Sequence, residues 1–151
     1  MHPADPTAQR RVLAALLRAC RGLRIRLQQQ SRHLSAGDYG DLNTDSSAIE
    51  AGLVRVAEIL RQLQQQVGCN GVTELDGRLQ RSEIARPWRR LVRLMHTCDQ
   101  QNQQNGVLLQ QRQIQVQTAL NAVIKRGDAS LYGRAGRQHP APVSSRLLGL
   151  G

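Results

Sequence analysis

Hydrophobic positions recur along the chain at spacings of three and four, the period of a helix that buries one face. The first run is Leu13, Leu16, Cys20, Leu23, Leu27, Gln30 and Leu34, with Arg11, Arg18, Arg21, Arg24, Arg26 and Arg32 all falling off it. It predicts an amphipathic helix over about 8–34 with an arginine-coated outer side. Residues 35–41 (SAGDYGD) carry Gly37 and Gly40 and predict a turn. A second run, Leu42, Ser46, Ile49, Leu53, Val56, Leu60, Leu63 and Val67, predicts a helix over 42–67. Asp38, Asp41 and Asn43 are its candidate caps, and Gly68 and Gly71 end it.

Thr73 with Asp76 three residues on forms a candidate capping box, opening a short helix over about 73–83. Pro87 then marks a first helical position, where its missing N–H costs nothing. From there a long helix is predicted to about Lys125. Its seam is Leu91, Met95, Cys98, Asn102, Asn105, Leu109, Arg112, Val116, Ala119 and Val123, widened by Leu94, Leu108 and Leu120. Beyond Gly127 the composition turns to Ser, Gly, Pro and Arg, which predicts a flexible tail over 127–151. The expectation is an all-α antiparallel helical bundle over 1–126, a coiled-coil-like hairpin with one very long C-terminal helix and a tail.

Composition supports that class. The 151 residues suit one domain, and Trp88, Tyr39 and Tyr132 are the only aromatics, with no Phe. Leucine and alanine must fill the core, which favours helix packing over a β-sandwich. The net charge of +10 is unevenly placed: residues 1–34 carry +6, residues 35–85 carry −4 and residues 86–126 carry +6. Residues 12–17 are the longest charge-free apolar stretch near the N-terminus, too short for a signal or a membrane span, so a cytoplasmic protein is expected. Cys20, Cys69 and Cys98 lie far apart with no CxxC pair and read as small buried thiols.

Little in the chain suggests catalysis. His2, His33, His96 and His139 are scattered, no HExxH, GxGxxG or P-loop occurs, and the acids show no catalytic pairing. Gly133-x-x-Gly136 between Arg134 and Arg137 matches a phosphate-clamping GxxG only superficially, because the surrounding βααβ pattern is missing. No enzyme activity, metal or cofactor is expected. The cluster Arg86, Arg89, Arg90 and Arg93 suits phosphates, but nothing supplies base stacking or a reading helix. A basic coiled-coil protein for nucleic acid or anionic membrane surfaces is the alternative reading, and a helical adaptor that only dimerises is a third.

The polar patch in the last seam admits two interpretations. Asn102 and Asn105 fix register in a bundle and Gly106 lets a neighbouring helix approach, or the stretch faces a partner. Gly106 inside a helix costs about 1 kcal/mol relative to Ala.

Residues 98–136 resemble the FlgN family of flagellar type III export chaperones. The resemblance rests on Asn102-x-x-Asn105-Gly106-x-Leu108-Leu109, a helix closing with Leu120 and Val123, and Leu131-Tyr132-Gly133-x-x-Gly136 just beyond. It implies a small cytoplasmic all-helical chaperone for hook–filament junction proteins, FlgK-like and FlgL-like, that binds their C-terminal helical segments. It implies delivery to the export gate FlhA near the export ATPase complex. Carried onto this sequence, Leu109, Val116, Leu120, Val123 and Ile124 become the substrate face and Tyr132 the gate-docking residue. Neither nucleic acid nor membrane insertion is expected of such a protein, and leucine seams leave a homodimer open.

Overall fold

The computed structural model describes the backbone of residues 5–132 and the side chains of residues 5–126. These residues form four helices and no strand: α1 (Pro6–Ala36), α2 (Leu42–Val67), α3 (Val72–Leu79) and α4 (Ala85–Tyr132). The chain divides into two compact units, Met1–Gln111 and Arg112–Gly151.

The first unit is a bundle whose helix ends follow from local chemistry. Asp5 caps α1 by accepting the Thr7 N–H at 2.9 Å, with Pro6 at the first position. Gly37 and Gly68 close α1 and α2 in left-handed conformations (φ 74° and 71°) that side-chain-bearing residues rarely adopt. Asp41 stands at the start of α2 without a side-chain cap bond. The Thr73–Asp76 capping box does not form. Gly71 precedes α3, the Asn70 N–H reaches Glu74, and the Asp76 carboxylate instead accepts the Trp88 indole N–H at 2.7 Å. α3 ends at Leu79, and Ser82 ties the following turn to Leu79 and Ile84. Pro87 lies in the first turn of α4, two residues after its start, where helix N–H groups lack intrahelical partners anyway.

α1 and α2 run antiparallel. Arg26 reaches the Ala48 carbonyl, Gln30 the Ser46 hydroxyl and His33 the Asp45 carboxylate, so rising numbers on one helix meet falling numbers on the other. α4 runs parallel to α1, because Arg10 meets Glu83, Cys98 meets Cys20, and Asn105 meets Leu27 and Gln30. α3 makes the return between α2 and α4.

The α1 seam is buried throughout, from Leu13 to Leu34 and including Gln30. α2 is turned slightly from its expected register: Asp45, Ile49, Val56, Ile59 and Leu63 are buried, while Leu53 is 44% exposed. Gly52 explains the turn. A Cβ there would come within 3.2 Å of the Leu23 Cδ1, so its absence lets α1 settle against that side of α2. Leu75, Leu79, Ile84, Trp88 and Leu91 close the core at the α3 end. All three thiols are free and buried, as their spacing suggested.

α4 continues seven residues past Lys125, to Tyr132. Gly127 does not stop it: a helical glycine costs about 1 kcal/mol relative to Ala, which does not by itself end a helix.

Candidate functional site

Residues singled out by sequence fall into two environments, and the packing adds a third. The first is a buried polar junction. Asn105, 1% exposed, donates from Nδ2 to the Leu27 carbonyl and to Gln30 Oε1, both at 2.9 Å, and accepts from Gln101 Nε2 at 3.0 Å. Gln30 in turn donates to the Ser46 hydroxyl at 3.3 Å. One chain of hydrogen bonds therefore links α4, α1 and α2 at a single level. Any slide of α4 along α1 would strand buried amides, so Asn105 fixes register.

The neighbouring motif residues behave otherwise. Asn102 is exposed and lines the rim of an apolar groove of about 130 Å3 with Leu23, Leu27, Leu53, Met95 and Cys98. Gly106 is exposed, and a Cβ there would meet nothing within 4 Å, so no helix approaches it within the described residues. The close approach expected of Gly106 is made by Gly52 instead. Leu108 and Leu109 are half-buried in the first unit, which separates Leu109 from the other expected substrate-face residues.

The second environment is the helix of the second unit. Val116, Leu120, Val123 and Ile124 recur at helical spacing, share one side of their helix, and are 42–66% exposed. Ile114, off that stripe and absent from the expected face, is 60% exposed. Its only sequence signal was a bulky β-branched residue among glutamines. Between Arg112 and Arg126 no acid occurs, and exposed polar contacts are local, such as Gln117 to Asn121 and Thr118 to the Ile114 carbonyl. An uncharged apolar stripe of this kind suits the apolar side of another helix. Tyr132 is the last residue of α4, so residues 127–132 of the expected 127–151 tail are helical; the Tyr132 side chain, Gly133, Gly136 and the rest of that tail lie outside the described residues.

The third environment was not anticipated. His33 Nδ1 lies 2.6 Å from the Asp45 carboxylate at the α1–α2 turn. The hydrogen bond to Asp45 raises the His33 pKa above its usual value against some desolvation, with Asp38 and Asp41 adding to the rise. Asp45 sits on the buried side of α2, where the hydrophobic pattern gave no reason to look for a carboxylate. Among the described residues His33, Asp38 and Asp41 are the one group with metal-ligand spacing, and two of the three are exposed. Burial, and the neighbouring Cys98, push the Cys20 thiol up to about 11; Cys98 is raised too, chiefly by burial. Neither is a ready nucleophile near neutral pH.

No helix in the described residues is long and apolar enough to cross a membrane. The family model described as the FlgN protein matches residues 8–140. No curated protein and no solved structure matches the chain.

Proposed function

The chain belongs to the FlgN family, the flagellar export chaperones, and on that premise we propose that it binds the C-terminal helical segments of FlgK-like and FlgL-like junction proteins in the cytoplasm and delivers them to the export gate. The stripe Val116, Leu120, Val123 and Ile124 carries the reading. Four exposed apolar side chains on one side of a helix form an incomplete packing surface, and an amphipathic helix from a subunit awaiting assembly completes it. Burying the exposed half of each contributes about 1 kcal/mol, so together roughly 4 kcal/mol before ordering costs. About 4 kcal/mol alone corresponds to a millimolar Kd, so these four side chains are anchors within a larger contact and not the whole of it. Leu109, half-buried in the first unit, is assigned to substrate binding by the family resemblance alone. Tyr132 is assigned to docking on FlhA, beside the export ATPase complex, on the strength of the Leu131-Tyr132-Gly133 motif alone.

The test is calorimetric titration with the C-terminal segment of a FlgK-like protein at low and moderate salt. Saturable binding, little changed by salt and lost in a chain truncated after residue 115, supports the assignment. Leu120→Asp with Val123→Asp is expected to weaken binding at least about 100-fold, since it removes two anchors and places charge in the contact. Melting of the α1–α2 hairpin is expected to stay unchanged. Tyr132→Ala is expected to leave substrate binding intact and to reduce capture by the isolated FlhA cytoplasmic part. Binding that survives the double substitution overturns the assignment of this face.

A further inference from the structure

The arginines of the first unit are not scattered over its surface. α1 contains seven Arg and no acid, and the first fourteen residues of α4 contain four Arg and no acid. Because α1 and α4 run parallel, with Arg10 beside Glu83 and Cys20 beside Cys98, residues 10–20 lie level with about 83–98. At about 100° per residue, Arg21, Arg24 and Arg32 on α1, and Arg86, Arg90 and Arg93 on α4, fall on the side of the α1–α4 pair turned away from α2. All six are exposed. Among the described residues none of them pairs with a carboxylate; the ion pairs formed use Arg10, Arg55, Arg78 and His33. In their midst Ile25 is 64% exposed.

Unpaired like charges on adjacent helices repel one another, and none of these six forms an ion pair within the described residues. We propose that this α1–α4 face adsorbs to an anionic lipid surface. Its form favours a plane over a nucleic acid. Two parallel helices side by side present a broad face whose six guanidinium groups can reach one plane of headgroup phosphates together, whereas a convex duplex meets only part of it. The buried Trp88 leaves no aromatic on this face for stacking bases. Arginine forms bidentate bonds to phosphate, and Ile25 supplies a shallow apolar contact at the headgroup level. The acidic residues lie mainly elsewhere, on the α1–α2 turn, α2 and α3, so a negatively charged plane orients the molecule with α2 outward. The inference is independent of the substrate face.

Co-sedimentation of the full chain with phosphatidylcholine vesicles, with and without about one-third phosphatidylglycerol, tests it. Binding is expected to the anionic vesicles only, and is expected to be lost at about 1 M NaCl, where the screening length is ~3 Å. Arg21→Glu with Arg90→Glu is expected to reduce partitioning at least about tenfold. Arg55→Glu with Arg61→Glu on α2, the same change in net charge, is expected to leave it within about twofold of the parent, because those positions are off the face. If the first pair does not keep the helix signal in circular dichroism, Arg21→Gln with Arg90→Gln takes its place. Binding to neutral vesicles as strong as to anionic ones, no binding to either, equal loss in both charge-reversal pairs, or displacement of bound protein by duplex DNA at equal phosphate concentration would each overturn the proposal.

Discussion

Replacing Asn105 by alanine removes the junction that ties α4 to the α1–α2 hairpin. Two donated bonds at 2.9 Å and one accepted at 3.0 Å disappear. Gln101 is partly solvated and recovers a water partner, and the Leu27 carbonyl keeps its place in the α1 ladder. Gln30 Oε1 has no such recourse: Gln30 is 4% exposed, and its amide nitrogen is already committed to Ser46. Two lost bonds at about 1 kcal/mol each and a stranded buried oxygen at about 1–3 kcal/mol give about 3–5 kcal/mol. The better helix propensity of alanine returns roughly 0.5 kcal/mol. The expected net loss is about 2.5–4.5 kcal/mol, lowering the melting temperature by roughly 5–18 °C in a chain of this size. Thermal and urea unfolding followed by circular dichroism reads it directly. Asn102→Ala, three residues away but exposed, is the internal control and is expected to change stability by less than about 0.5 kcal/mol. Asn105→Leu combined with Gln30→Leu replaces both partners by apolar groups and is expected to recover at least half of the loss. A cost for Asn105→Ala below about 1 kcal/mol, or equal to that of Asn102→Ala, would refute the claim that this amide holds register.

Three further outcomes follow from the packing. Gly106→Ala meets open space in a right-handed helix and is expected to stabilise by about 0.5–1 kcal/mol, whereas Gly52→Ala presses on the Leu23 side chain and is expected to lose stability; urea midpoints that rank the two in the opposite order would contradict the assigned close approach. His33 has a raised folded pKa, so its pairing with Asp45 contributes fully below about pH 6.5 and is lost as pH rises through the higher folded value. A urea midpoint lower at pH 8 than at pH 6, with the difference diminished in His33→Asn, is the expected result. Trp88→Phe removes the bond to Asp76 and some buried volume, and is expected to cost about 2–4 kcal/mol in the same unfolding assay.

The spacing of leucines determined much of this molecule without reference to its fold. α1 shows the clearest case, since every predicted seam position from Leu13 to Leu34 is buried. The turn at Gly37 and the stop at Gly68 were equally legible, because a left-handed residue past a helix end is a local requirement that glycine meets. Family membership was legible in the order and spacing of the Asn-Asn-Gly motif and the Leu-Tyr-Gly sequence. Which seam residues meet another helix was a different matter, because periodicity assigns a face and not its neighbour. Asn102 and Asn105 read alike in sequence, yet only Asn105 lies at the level where Gln30 and the Leu27 carbonyl await a donor. Leu53 and Ile59 exchanged places between seam and flank because Gly52 admitted Leu23, a contact between residues 29 positions apart. Asp45 carried no signal of its own in the sequence; antiparallel packing is what brings His33 beside it. The arginines of α1 and α4 became one surface only when α3 returned the chain so that those two helices ran side by side. Local propensity and hydrophobic period act within a few residues and are written in the sequence itself; register, pairing and charge alignment depend on distances between segments, which only the packed bundle fixes.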